Sequence, residues 1–414
     1  MKPTALIFTL SALFAARSIA SETLAVLPDS AAALGMAGGR YANLSDPSAV
    51  RINPANILGI AEPDAQVNFG AWYGDIKFTA PNGQTERMAD PWKFLGSAYF
   101  VEPITAGKTA WGFGLSTPYG IESSWPQNGY FKYLIPYKAT LLTADLTPAF
   151  AFQATDTLSI GIGMDIMYSQ FTLKQQFPWS KLTGTAVADG VFDFDGSGWG
   201  FGGFAGVTWA PVKGQRFSLT GHLPIKVNYN GDFTASNVPA AVQAIGVASR
   251  TDFNSSIKYP GSLAAGYGWD VTDRLTIGLD VQWAENSTHK EVPLNIGRDQ
   301  LLLGSTGVPL NWKDSWEAGV GVQYKLNEHW VLRAGYLFTE NSQPDATFTP
   351  SVPSGQRQLT SAGVGWHDKQ NAIDFAYAYV AYPDRSISND LQPAFNGRYQ
   401  ISWSVISLSY TRKF

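Results

Sequence analysis

From Pro63 to its end the chain alternates apolar and polar residues with a period of two, the pattern of strands whose two faces meet different surroundings. The stretch from Arg274 to Trp283 is the clearest case. Leu275, Ile277, Leu279, Val281 and Trp283 fall on one face, and Arg274, Thr276, Gly278, Asp280 and Gln282 on the other. Residues 316–324 and 330–338 read the same way. In 217–229, Phe217, Leu219, Leu223, Ile225, Val227 and Tyr229 oppose Ser218, Thr220, His222, Lys226 and Asn228. The apolar face repeatedly ends in Trp or Tyr. A soluble sandwich would bury that face, whereas an outer-membrane barrel turns it to lipid and gathers aromatics at the two interfaces.

Loop lengths separate the two architectures. Strands are predicted near 64–73, 94–101, 109–118, 140–154, 157–171, 198–210, 215–229, 257–270, 274–286, 313–325, 328–341, 357–368, 371–383 and 400–414. The connections alternate strictly between long (74–93, 119–139, 172–197, 230–256, 287–312, 342–356, 384–399) and tight, as at Thr155-Asp156, Leu326-Asn327 and Lys369-Gln370. Sorting long loops to one rim and short turns to the other is the rule of outer-membrane barrels, as is an even strand number. The predicted fold is therefore all-β, a transmembrane antiparallel barrel of about 14 strands. In the last strand Ile406, Leu408, Tyr410 and Phe414 share a face, while Ile401, Trp403 and Val405 have the opposite parity, which predicts a bulge near Val405-Ile406. A chain ending on apolar alternation and an aromatic residue resembles the signal read by the outer-membrane assembly machinery.

The amino-terminal residues behave differently. Lys2, an apolar core over 5–16 and Ser18-Ile19-Ala20 read as a secretory leader, 1–20, cut after Ala20. Residues 21–63, with Gly35, Gly38, Gly39, Pro47 and Pro54, predict a compact irregular segment that plugs the barrel of 64–414; the alternative is a disordered arm. Without the leader the chain carries 27 basic and 33 acidic residues, which argues against a nucleic-acid partner. With no Cys there is no disulfide scaffold and no thiol chemistry. No run approaches the ~20 apolar residues of a spanning helix.

Catalytic signals fail on inspection. Gly107-Lys108-Thr109 lacks the earlier Gly of a phosphate loop, and the paired glycines 161/163 and 200/202 do not continue to a third. No G-x-S-x-G elbow occurs, and the four His have no metal-ligand spacing. The chain is read as a non-enzyme without cofactor or metal. On the predicted lumen face stand Asp165, Lys226, Asp280, Glu317, Arg333 and Asp374, expected to pair with one another or with the plug. The long loops are unusually apolar. Phe177, Trp179 and Leu182 in one, and Val238, Val242 and Ile245 in another, form a candidate binding patch for an apolar ligand.

At this point the sequence resembles the FadL-type family of outer-membrane transporters for long-chain fatty acids and other hydrophobic compounds. Ala33-Leu34-Gly35-Met36-Ala37 and Val50-Arg51-Ile52-Asn53-Pro54-Ala55 match its plug segment, with Asn53-Pro54-Ala55 the most telling triplet. Trp111-Gly112-Phe113-Gly114, Tyr119-Gly120-Ile121, Trp199-Gly200-Phe201-Gly202 and Arg216-Phe217-Ser218-Leu219 look like its strands. The resemblance implies a monomeric barrel of 14 strands with an N-terminal hatch. It also implies capture of ligand between the third and fourth outer loops. Release follows sideways into outer-membrane lipid at a kink of the third strand, here Pro118, Tyr119 and Gly120. Long-chain fatty acids are the expected substrate, with monoaromatic hydrocarbons the alternative and a surface adhesin or receptor the rival class. One departure matters: where fatty-acid members place a basic residue late in the fifth strand, this chain has Tyr168-Ser169-Gln170-Phe171.

Overall fold

The computed structural model describes residues 30–297 and 307–414, so the expected leader and the first part of the expected plug lie outside the described residues. Fourteen spanning strands follow one another in the chain: β1 (Asp64–Thr79), β2 (Trp92–Thr105), β3 (Thr109–Ser116, resumed over Gly120–Ser124), β4 (Lys138–Thr155), β5 (Leu158–Phe177), β6 (Gly190–Val212) and β7 (Gln215–His222, resumed over Ile225–Ala235). Then come β8 (Arg250–Tyr259, resumed over Ser262–Asp270), β9 (Leu275–Ala284), β10 (Ser315–Lys325), β11 (Trp330–Thr339), β12 (Arg357–His367), β13 (Asn371–Ala381) and β14 (Gly397–Lys413). Each pairs antiparallel with its sequence neighbour, and β14 returns to β1 in unbroken register from Asp64↔Lys413 to Thr79↔Arg398. The sheet thus closes on itself, as it must in hydrocarbon, where an open edge would leave backbone polar groups unpaired. Among the described residues no helix is long and apolar enough to cross a membrane.

Two of the tight turns place a glycine in left-handed backbone. Gly107 (φ 69°) and Gly214 (φ 82°) sit in the β2–β3 and β6–β7 turns. Near this rim Trp111, Trp209, Trp269, Tyr324 and Trp330 are exposed on the outer face, and Tyr73, Trp92, Tyr168, Trp199 and Trp316 mark a second girdle farther up. Between the girdles lies an outward band that includes Val67, Phe69, Phe113, Ile162, Leu219, Leu279 and Leu408.

Several strands run well past the band: β5 has 20 residues and β6 has 23, about twice what a tilted strand needs to span. Above the upper girdle the polarity inverts. In β1, Ile76 and Phe78 are buried inside while Asp75 and Lys77 face out; in β6, Phe192 and Phe194 are inside while Asp193 and Asp195 face out. Here the exterior meets water, so the apolar residues gather inside.

This inversion corrects two expectations. The predicted bulge at Val405-Ile406 is absent: β14 keeps one register against both β1 and β13. Ile401, Trp403 and Val405 are simply the inward residues of its upper half, packed with Phe78 and Tyr399. Lys226 is not a lumen charge. β7 breaks at Leu223-Pro224, where Pro supplies no N–H, and its register against β6 slips by one residue between Phe204↔His222 and Ser197↔Asn230. Above the slip Ile225, Val227 and Tyr229 are buried inside, and Lys226 is exposed on the outer face.

Candidate functional site

The inverted upper tier encloses a cavity of ≈ 290 Å³. Its walls come from four long loops and the upper strands: Leu134 and Ile135 from the β3–β4 loop, Trp312 from β9–β10, Phe348 from β11–β12, Phe395 from β13–β14, and Phe171 of β5. Such a small, mostly apolar chamber with few polar groups is the usual form of a site for a hydrophobic ligand. The polar groups include His289, its ring packed at a tilt against Trp312 (4.9 Å between centroids), and Asp390. Burial holds the His289 imidazole down at about 4, so the ring is neutral at ordinary pH. Among the described lining residues there is no Lys or Arg.

The loop residues singled out from sequence lie beside this chamber and do not line it. Trp179 is fully buried in the short helix α4 (Trp179–Thr183) and donates its indole N–H to the Ser236 carbonyl (2.9 Å), tying the third long loop to the fourth. Phe177 stacks on Phe192, and Val238 and Val242 complete the same apolar cluster. Leu182 (55% exposed) and Ile245 (77% exposed) point away to solvent. A clasp links the third loop to the chamber: the Tyr133 hydroxyl donates to Asp189 (2.6 Å), whose carboxyl this bond and Lys132 hold below its usual range.

Below the chamber, at the position where the fifth strand lacks a basic residue, Ser169 forms a buried cluster of hydroxyls with Tyr229 (2.8 Å) and Tyr259 (3.1 Å). Ser169 donates to the Leu142 carbonyl, so the two phenolic protons are used within the cluster. It has no charge and no spare donor for a carboxylate. The Tyr119 ring lies on Tyr259, 4.6 Å between centroids, and so joins the cluster to the break in β3.

That break interrupts the ladder between β2 and β3. β1 pairs with β2 up to Tyr73↔Trp92, but β2 pairs with β3 only from Thr105↔Thr109 to Ala98↔Leu115. The second piece of β3 pairs with β4 alone, one residue out of register with the first. The two sides meet again above, where the Ala89 N–H donates to the Ser124 carbonyl (2.8 Å). Between these points residues 93–97 and 117–123 face each other without a ladder. Pro118 cannot donate, and the Tyr119 backbone bonds instead to the Thr143 hydroxyl, which accepts from its N–H (3.2 Å) and donates to its carbonyl. Inside the gap the wholly buried Lys93 ammonium stands 3.6 Å from the carboxylates of both Glu122 and Asp90. Sequence reading missed Lys93 because it began the second strand at residue 94, two residues after its start at Trp92.

The N-terminal segment lies against inward-facing residues of both sides of the barrel. It comprises three short helices, α1 (Ala31–Met36), α2 (Arg40–Asn43) and α3 (Ala49–Ile52), and a 3₁₀ turn over Pro54–Gly59. Gly35 abuts Gly363 of β12, 3.3 Å from a Cβ that would be added at either, and added Cβ atoms at Gly321 and Gly335 would collide with the Met36 carbonyl. Asn53 caps the 3₁₀ turn by accepting from the Ala55 N–H (3.1 Å) and donates to the Tyr41 carbonyl (2.8 Å) and the Thr208 hydroxyl (3.0 Å). Pro54 and Ala55 press on Gly161 of β5, where a side chain would clash with them.

Five of the six predicted lumen charges face inward, and four of these are paired. Asp280 accepts from the Arg40 backbone N–H (2.7 Å), and Glu317 takes the Arg40 guanidinium (2.8 Å) together with Arg357 (3.4 Å). Arg333 pairs with Asp374 and donates to Gln323 (2.9 Å). Asp165 lies buried beside Asp145, with Arg51 of the N-terminal segment as their opposing charge. The parity that places Thr143 and Thr147 inward would have found Asp145.

Comparison with known proteins agrees with this architecture. A long-chain fatty acid transport protein of Escherichia coli O6:H1 is 24% identical over 384 residues, covering 85% of this chain and 85% of its own. Among solved structures, a Pseudomonas aeruginosa FadL homologue matches with a TM-score of 0.83 at 21% identity, over 94% of this chain and 99% of its own. The Pseudomonas putida toluene transporter TodX matches with a TM-score of 0.74 at 17% identity, over 95% of this chain and 100% of its own. The family model of outer membrane transport proteins (OMPP1/FadL/TodX) matches residues 12–414, and the chain belongs to that family of outer-membrane transporters of hydrophobic compounds.

Proposed function

We propose that this barrel takes up uncharged apolar molecules, monoaromatic hydrocarbons ahead of fatty-acid anions. It would catch them in the outer chamber, pass them down beside the N-terminal segment acting as a movable hatch, and release them sideways between β2 and β3. The observation that carries the reading is the chamber itself: apolar, with Asp390 on its wall and no cation among its described lining residues. A buried carboxylate needs a partner, and a wall that offers another carboxylate repels it. The uncharged Ser169–Tyr229–Tyr259 cluster below supports the same choice. Sideways release suits any apolar cargo, because each CH₂ kept out of the aqueous periplasm is worth about 0.8 kcal/mol.

Long-chain fatty acids are the second reading, favoured by the name of the Escherichia coli relative. Uptake of toluene and of a long-chain fatty acid by cells with and without the gene separates the two. Toluene uptake is expected to fall severalfold on deletion and fatty-acid uptake little. The reverse result would assign the fatty acid, and unchanged uptake of both would favour an adhesin or receptor. The working unit is proposed to be the monomer, inserted by the outer-membrane assembly machinery.

A further inference from the structure

The misplaced lysine has a partner on the outside of the barrel. Lys226 of β7 stands directly across the ladder from Lys258 of β8, and both side chains are exposed. Like charges on facing residues of an antiparallel pair repel each other. The acidic relief on the protein is meagre. Glu285 lies 3.8 Å from Lys258, and among the described residues no carboxylate lies within ion-pair distance of Lys226.

Their position is specific. Gly200 of β6 lies against the Lys226 carbonyl, so Trp199 and Phe201 on either side of it flank Lys226 on the outer surface. Leu223 and Leu263, both strongly exposed, lie just below the break in β7 and β8. Above it the outward residues turn polar, with Asn228 and Asn230 on β7 and Ser256 and Asn254 on β8. The two ammonium groups therefore sit at the upper edge of the lipid-facing band, with apolar and aromatic surface beneath them. An acyl lipid fits there: its chains cover Phe201, Leu223 and Leu263, and an anionic head group meets both lysines.

We propose that Lys226 and Lys258 form a binding site for a phosphate group of the outer-leaflet glycolipid, lipopolysaccharide. The phosphate bridges the two ammonium groups and relieves their repulsion, with Glu285 as the local competitor for Lys258. The site lies on the lipid side of the wall and is independent of cargo and of the route through the lumen. It does require that the long-loop rim face the cell exterior.

The test compares unfolding midpoints, read by heat-modifiable gel mobility, in nanodiscs of three compositions. These are phosphatidylethanolamine alone, the same with lipopolysaccharide, and the same with phosphatidylglycerol. Lipopolysaccharide is expected to raise the wild-type midpoint more than phosphatidylglycerol does. The Lys226→Gln/Lys258→Gln double variant should lose most of that rise, and Lys226→Arg/Lys258→Arg should keep it. A midpoint of the Gln variant in phosphatidylethanolamine alone that is no lower than the wild type's shows that it folds. A Gln variant that retains the full rise overturns the site, and an equal rise with phosphatidylglycerol overturns the glycolipid assignment.

Discussion

The Met36 carbonyl oxygen lies where a side chain on Gly335 would begin, and the same carbonyl with that of Gly38 blocks Gly321. Glycine at these places is therefore required by close approach, since the backbone of the N-terminal segment rests on the backbone of the wall. The alternation of residues 316–324 and 330–338 puts Gly319, Gly321 and Gly335 on the polar, lumen-facing side, where they look like ordinary space-savers. What they make room for becomes evident only when the segment of residues 31–43 is laid across β9 to β12. Gly335→Val should leave the barrel folded by heat-modifiable mobility but push the segment off its seat. Cells carrying it should admit small hydrophilic dyes severalfold faster than wild type. Gly203→Ala, whose added Cβ would be no closer than 3.7 Å to its neighbours, should not. An unaltered dye rate in folded Gly335→Val would mean that the segment does not plug the lumen.

Strands were legible as elements and less so as lengths. All fourteen were marked by their alternation, yet several extend beyond the predicted ends: β1 continues to Thr79 and β6 begins at Gly190. The reason is the inversion above the girdle, where an inward Phe78 beside an outward Lys77 breaks the expected rule that apolar residues face out. Lys226 was misassigned for the same reason, compounded by the slip at Leu223-Pro224. Pro118 and Gly120, by contrast, were legible as a break because Pro removes a ladder donor wherever it stands. The structure adds that the break faces an unpaired stretch of β2 and is held by the Thr143 hydroxyl. If cargo leaves here, replacing Pro118 with Val and Gly120 with Thr should restore pairing and seal the wall. Uptake should then drop to the level of the deletion strain while gel mobility still reports a folded barrel. Undiminished uptake in that folded variant would exclude the sideways exit.

At the scale of the molecule the barrel has two tiers, a lipid-facing cylinder and an upper chamber whose apolar side is inside. The cylinder was legible because each strand carries its own alternation. The chamber was not, because residues as distant in sequence as Leu134, Trp312, Phe348 and Phe395 meet only through loops folded over one rim. The proposed direction of uptake implies an orientation for this two-tier plan. Strands that protrude past the lipid band with polar exteriors, and the long loops above them, belong on the same side as the captured cargo. The short turns, such as Lys369-Gln370 between β12 and β13, belong on the periplasmic side. The chain contains no Cys, so a single introduced thiol is reported without background. Ser236 and Asn389 are exposed in long loops and Gln370 in a tight turn. An impermeant maleimide added to intact cells should label Ser236→Cys and Asn389→Cys but leave Gln370→Cys unmodified, and permeabilising the outer membrane should then expose all three. Labelling of Gln370→Cys on intact cells, with Ser236→Cys protected, would invert the molecule. The chamber would then open to the periplasm, and the proposed direction of uptake would fail with it.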